Sequence, residues 1–238
     1  MTFWTLTILF AVVVSTIPFL QRYKLDHNAK PPPRELVLKA YRNCIVNHLV
    51  AHPLFAFVFY ELAVNKIGME TSMTNLPSLG TMAKHIFITL LVEDFLFYWI
   101  HRSLHHRLVY KYIHKQHHEF KANVGIAAEY FHPVEDLFNI VPMVAGPLFL
   151  KMHFCTFMVW IVIRISEIVD AHSGYALPFS IWEISLRLQG GADRHEFHHS
   201  HNKGSYGSFT KFWDWLFNTD SHYYKWKAKK EEANKKTK

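Results

Sequence analysis

Six histidines fall within the stretch HRSLHHRLVYKYIHKQHHEF that begins at His101: His101, His105, His106, His114, His117 and His118. A second group, His195, His198, His199 and His201, lies in DRHEFHHSH. The pattern His-x-x-His-His occurs twice, at 114–118 and at 195–199. Neutral imidazole is a good ligand for iron or zinc. On a helix, residues at i, i+3 and i+4 project from one face, which the spacing predicts for both patterns, and His101 and His105 form an i, i+4 pair. Eight boxed histidines exceed what one ion takes, so two metals with about four imidazoles each is the economical arrangement. Zinc at such a site would polarise water and iron would activate dioxygen; the spacing does not choose between them. Cys44 and Cys155 have no metal-site or disulfide spacing, which counts against a zinc finger, and a donor set made of histidines alone counts against zinc hydrolase chemistry.

The elements that must position these residues read as membrane helices. Half of the 238 residues are apolar, 20 of them Phe, and the apolar residues are gathered into runs of spanning length. The expected fold is all-α: a single membrane-embedded domain, an integral helical bundle with a cytosolic, histidine-rich helical cap. Spans are expected at about 3–20, 41–62 and 85–100, with a hairpin over 134–169 that enters and leaves on one side. The first segment lacks a basic start and a cleavage site, and reads as a retained anchor rather than a signal peptide. Pro53 is expected to kink the second span, whose His48 and His52 read as a packing and polar contact inside the bundle. The catalytic parts are then 101–133 and 170–224, followed by a basic tail, 225–238. Both histidine groups must meet, so an even number of crossings separates them. The net charge of +7 lies in the 21–42 loop and the tail, a membrane-surface pattern rather than a nucleic-acid footprint. Both then face the cytosol, and Lys235 and Lys236 have the form of a dilysine retrieval signal for the endoplasmic reticulum.

Charges inside a span face the protein interior. Asp94, Tyr98, His101 and His105 share one helical face, so Asp94 is expected to accept a hydrogen bond from a ligand imidazole, from Tyr98 or from a nearby basic group.

The stretches EDFLFYWIHRSLHH, YKYIHKQHHEF, AEYFHPVED, EIVDAHSGY, HEFHHSHNKGSYG and FWDWLFNTD resemble the membrane fatty acid hydroxylase and sterol desaturase superfamily, with its His-x3-His, His-x2-His-His and His-x2-His-His boxes. The resemblance covers about 93–220 and is nearest to the C-4 methylsterol oxidases. It implies a nonhaem di-iron monooxygenase with ligands His101, His105, His114, His117, His118, His195, His198 and His199, and with His172 of DAHSGY as a further ligand. His132 is implied as a ligand or as a partner of one. His106 and His201 are expected at the outer edge or surface. Asp136 and Asp193 are candidates for orienting imidazoles, and Tyr206 and Gly207 for a cap. Trp213, Trp215 and Phe217 are expected at the membrane interface. Dioxygen and electrons from NAD(P)H, through cytochrome b5 and its reductase, would drive oxidation of a sterol C-4 methyl through alcohol and aldehyde to carboxylate. A dehydrogenase and a ketoreductase would act next. Zinc would fill the site in a heterologous preparation. The alternatives are a C-5 sterol desaturase, a cholesterol hydroxylase or an alkylglycerol oxygenase of the same superfamily, or a membrane transporter or scaffold without catalysis. A transporter places its ligands near the bilayer midplane, whereas these boxes lie beyond the span ends.

Overall fold

A computed structural model describes residues 1–184 and 191–236. The described residues are all-α, joined by turns and one isolated β-bridge, Lys24–Tyr175. The helices are α1 (Thr2–Val14), α2 (Pro18–Gln21), α3 (Arg34–Lys66), α4 (Leu79–Leu104), α5 (Pro133–Phe149), α6 (Phe154–Ala171), the single turn α7 (Ile181–Ile184), α8 (Ala192–His201), α9 (Phe212–Leu216) and α10 (Ser221–Lys236).

α3 is the one described helix both long and apolar enough to cross a membrane, and only 11% of its apolar window is buried inside the protein. A helix that exposes Leu49, Val50, Leu54 and Phe57 is not a core helix of a water-soluble fold. It begins at Arg34, directly after Pro33, and continues through Pro53. No break occurs there. Instead the helix widens into a π turn at Asn47–Ala51, one residue before the α-helical stretch that opens with His52 and Pro53. A proline removes an amide donor and crowds the preceding turn, and a π turn relieves both.

The expected hairpin is α5 and α6, joined by a turn at 150–153 in which Lys151 has φ 47°. Two prolines lie inside α5, Pro142 and Pro147. Pro147 has no N–H, so the carbonyl of Met143 loses its helical partner. Trp160 of α6 supplies one, its Nε1 donating to Met143 O at 2.9 Å. α5 also crosses α4 closely: a Cβ on Gly146 would lie 2.8 Å from Thr89 Cα. Between α4 and α6 the buried charges compensate one another. Arg164 forms an ion pair with Glu93, its Nε 2.8 Å from Oε1, and donates through Nη1 to Glu167 at 2.5 Å.

Two apolar clusters flank this centre. Phe3, Phe10, Ala40, Cys44, Ile126, Ala127 and Val169 join α1, α3 and a 3-10 turn at Gly125–Glu129. Phe59, Met69, Met152, Phe157, Trp160 and Phe209 form the other. The expected 21–42 loop is shorter, 22–33, because α3 already begins at Arg34, and it is tied to the segment after α6 by Leu25 N to Gly174 O, 3.0 Å, and Ala176 N to Tyr23 O, 2.9 Å.

The largest departure from the expected elements is the segment after α4. The helix stops at Leu104, residues 105–116 form turns, and only His117–Glu119 closes a 3-10 turn. Length explains it. A continuous helix from His101 to His114 would separate them by about 20 Å, and two residues that must meet cannot both lie on it. The basic tail is helical in α10, packed through Tyr223 and Trp226 against Phe197 of α8. The side chains of Lys235 and Lys236 lie outside the described residues.

The Trp160–Met143 bond gives a prediction. Trp160→Phe leaves a buried carbonyl unpaired and should cost about 1–3 kcal/mol, read as a lower thermal midpoint in detergent. In a Pro147→Ala background, where the amide returns to Met143 O, the same substitution should cost less. Equal losses in both backgrounds would contradict this account of the hairpin.

Candidate metal centre

Nine histidines converge in two groups. His101, His105, His114, His118 and His198 form one, and His117, His172, His195 and His199 the other. Within each group, one ring nitrogen from every member lies within 4.8 Å of the rest. The last turn and C-cap of α4 carry His101 and His105, the C-cap of α6 is His172, and α8 carries His195, His198 and His199. The boxes do not map one to one onto the groups. In 114–118, His114 and His118 turn to the first group and His117 to the second. On α8, His198 joins the first, and His195 and His199 the second. On α8 the three histidines share one helical face, as the spacing predicts, whereas the 114–118 pattern lies on turns and a 3-10 turn rather than an α-helix, and the two groups interlock through His117–His118 and His198–His199.

Five rings are held from behind through Nδ1. His101 donates to Tyr206 O at 2.9 Å, His198 to Gly204 O at 2.6 Å, His199 to Phe120 O at 3.1 Å and His172 to Ile168 O at 2.7 Å. His114 meets Glu135 Oε1 at 2.6 Å. A carbonyl only accepts, so the four carbonyl contacts assign the proton to Nδ1 of His101, His172, His198 and His199 and leave their Nε2 bare. The Nε2 nitrogens face other imidazoles: His172 Nε2 is 2.9 Å from His195 Nε2 and 3.3 Å from His117 Nε2. His198 Nε2 is 3.2 Å from His105 Nε2, and His114 Nε2 is 3.0 Å from His118 Nε2. His199 Nε2 is buried with no protein partner. Burial lowers the pKa of all nine, to about 4 for His101 and His172, and mutual repulsion between neighbouring rings adds to this at most of them. Neutral imidazoles with converging lone pairs fit a pair of divalent cations of the iron or zinc type.

The turn after α8 supplies two of the backing carbonyls and is built for closeness. Asn202, Gly204 and Ser205 all have positive φ, and a Cβ on Gly204 would collide with Thr219 O. Asp214 pins this turn. It accepts from Tyr206 N at 2.9 Å, Gly207 N at 2.7 Å and Thr219 Oγ1 at 2.6 Å, and pairs with Arg194. The ring of Tyr206 lies over the first group, 5.0 Å from His105 and 5.7 Å from His101 between centroids.

Asp94 departs from expectation. Neither a cluster imidazole nor Tyr98 is its partner; it accepts from Thr210 N at 2.8 Å and Thr210 Oγ1 at 2.5 Å. It thus ties α4 to the loop whose other end backs His101 and His198. The remaining candidates also lie away from the rings' nitrogens. Asp136 meets His52 at 3.2 Å, and Asp193 accepts from Tyr223 Oη and Lys227 Nζ, fastening α10 to α8. His132 caps α5, accepting from Val134 N. His106 is exposed, and His201 stacks on Phe197. Neither Asp136 nor Asp193 orients a clustered imidazole.

Glu135 and Asp214 are the residues that the spacing did not single out. Of the adjacent acids in HPVED, only the register of α5 decides which faces His114. Asp214 had a signal, since an acid flanked by Trp213 and Trp215 in an apolar run needs a buried partner.

A carboxylate behind a ligand imidazole makes the metal-facing nitrogen more basic. Glu135→Gln should therefore lower metal affinity of the first group about 10- to 100-fold and leave the second unchanged, read by metal titration of the purified protein. Equal weakening of both, or of neither, would contradict the assignment.

A family model described as fatty acid hydroxylase matches residues 86–219. Methylsterol monooxygenase 2-2 of Arabidopsis thaliana is 35% identical, with 92% of this chain and 81% of the relative covered. Methylsterol monooxygenase 1 of Danio rerio is 34% identical over 88% of this chain and 71% of its own length. A very-long-chain aldehyde decarbonylase of Oryza sativa subsp. japonica is 33% identical, covering 95% and 84%. No solved structure matches. The histidine pattern lies within the matched region, and on both grounds this chain belongs to the fatty acid hydroxylase family.

Proposed function

We propose that the chain is a di-iron methylsterol monooxygenase, oxidising the C-4 methyl group of a sterol intermediate through alcohol and aldehyde to carboxylate. The observation that carries this reading is the pair of interlocked imidazole groups beside an apolar cavity. A small space of about 50 Å³ is lined by His101, His114, His117, His172 and His195 together with Phe97 and Phe131. A larger one, about 510 Å³, lies between α3, α5 and α6. Phe131, Asn139, Arg164 and Ile168 line both. The larger space has the size and apolar character of a lipid-binding pocket.

His101, His105, His114, His118 and His198 would hold one iron, and His117, His172, His195 and His199 the other. When bound, the two irons supply activation of dioxygen for C–H oxidation. Each oxidation takes one dioxygen, two electrons and two protons, and returns water. The electrons come from NAD(P)H through cytochrome b5 and its reductase, and a dehydrogenase and a ketoreductase complete removal of the carbon. The chain's own residues orient and enclose. Glu135 and the carbonyls of Tyr206, Gly204, Phe120 and Ile168 fix the rings; Phe97 and Phe131 keep the approach apolar; Tyr206 and Gly207 cover the first group. Asp94, through Thr210, holds that cover to α4.

In this reading the chain is one multi-pass domain of the endoplasmic reticulum membrane. α1, α3, α4 and the α5–α6 hairpin lie in the bilayer, and the histidines and α10 face the cytosol. The exposed apolar side chains of α4 and the hairpin, among them Phe87, Leu91, Leu137 and Val141, support a lipid-facing belt.

A second reading, oxidation of another lipid within the same superfamily, is favoured by the aldehyde decarbonylase relative, whose identity differs little from that of the sterol enzymes. Lipid analysis after deletion of the gene separates the two. The sterol reading predicts accumulation of 4-methylated sterols, reversed by the wild-type chain and not by His101→Ala. Unchanged sterols with altered long-chain aldehydes or hydrocarbons would contradict it.

A further inference from the structure

A third group of potential ligands lies outside the metal centre, in the wall of the larger cavity. His48 and His52 are one turn apart on α3, their ring centroids 4.7 Å apart. His48 Nε2 is 3.1 Å from Glu129 Oε2, and His52 Nε2 is 3.2 Å from Asp136 Oδ2. All four residues line the cavity, and Asn139, one turn after Asp136, extends the polar strip. The rest of the wall is apolar, with Phe55, Phe59, Met143, Phe157, Met158 and Ile161. The cavity is thus a largely apolar chamber with one polar pole.

The hydrogen bonding of that pole is incomplete. His48 donates through Nδ1 to Cys44 O at 2.7 Å, which leaves Nε2 of the neutral ring as an acceptor facing a carboxyl oxygen. Glu129 Oε2 is buried and makes no hydrogen bond of acceptable geometry. One nitrogen or oxygen from each of His48, His52 and Glu129 lies within 4.8 Å of the others, the spacing that a single small polar atom among them would bridge. Burial raises the Glu129 carboxyl to about 7, so at neutral pH it is able to donate as well as accept. His48 also sits in the π turn at Asn47–Ala51, a local widening that alters how the turn presents its side chains.

We propose that His48, His52, Glu129 and Asp136 form the recognition site for a hydroxyl group on an otherwise apolar lipid occupying this cavity. The inference rests on the reading of the chain as a lipid oxidase and deepens it. A hydroxyl both donates and accepts, so it satisfies a carboxyl and an imidazole together, while the apolar body fills the chamber. Because Asp136 faces this pole and its neighbour Glu135 backs His114, the first residues of α5 couple the hydroxyl's position to that of the first imidazole group. The hydroxyl would then set which carbon of the lipid is presented to the metals. A sterol, with one hydroxyl at the end of a rigid apolar body, has this chemistry.

The test uses the metal-loaded full chain in nanodiscs and two ligand pairs: a 4-methylsterol with its 3-deoxy analogue, and octadecan-1-ol with octadecane. Wild-type protein should bind the hydroxylated member of a pair about 10- to 100-fold more tightly. The preference should fall toward parity in His52→Gln and in Glu129→Gln, with two metals per chain retained as the sign of an intact fold. Equal affinity within both pairs, binding of neither, or an unchanged preference in both folded variants would overturn the proposal. So would a third metal equivalent that disappears in His48→Gln, since the pole would then be a cation site. A preference confined to the alcohol pair, without sterol binding, would keep the hydroxyl site and remove the sterol reading instead.

Discussion

The structure depends on holding bare imidazole nitrogens against one another. Converging lone pairs repel, and burying nine rings in one place is costly unless cations bind between them and the outer nitrogens are satisfied. Five of the nine outer nitrogens have a named oxygen partner. Those oxygens come from four separate stretches of chain: the turn after α8, the end of α6, Phe120 and the start of α5. Each is a backbone or carboxyl group that had to be brought within hydrogen-bond distance of one ring. The turn at 202–207 shows the cost of this, with three positive φ values and a glycine in contact with Thr219 O. Asp214 and Asp94 are the groups that keep the turn in place.

The helices below the site answer a related demand. They bury Glu93, Arg164 and Glu167, and buried charges need partners inside the protein. Glu93, Arg164 and Glu167 neutralise one another between α4 and α6, and Trp160 replaces the amide that Pro147 lacks. The same prolines and Gly146 bring the hairpin close to α4. The result is a bundle whose upper end is rigid enough to carry the rings and whose side holds a chamber open between α3, α5 and α6.

Much of this is legible in the sequence. The boxed histidines and His172 all fall in the two groups, because imidazoles this dense in an apolar chain have little else to do. The hairpin and the buried placement of Glu93 and Asp94 follow from hydropathy and the cost of burying charge. The grouping does not follow. His117 and His118 are neighbours in sequence and belong to different groups, which depends on the turns at 105–116 and not on helical periodicity. Helical periodicity puts Asp94 on one face with His101, yet a loop more than a hundred residues away reaches it first. Glu135, Asp214 and the backing carbonyls were also out of reach, since backbone oxygens leave no trace in residue type and the register of α5 is set by packing. His48 and His52 read as packing histidines until α5 and the Gly125–Glu129 turn place carboxyl groups against them.

The central claim is that two cations, not one, complete the imidazole groups. Metal analysis of anaerobically purified, iron-reconstituted protein tests it most directly, with turnover measured on the same sample. The account predicts two irons per chain, with activity rising only as the second is filled. Full activity at one iron per chain would contradict it.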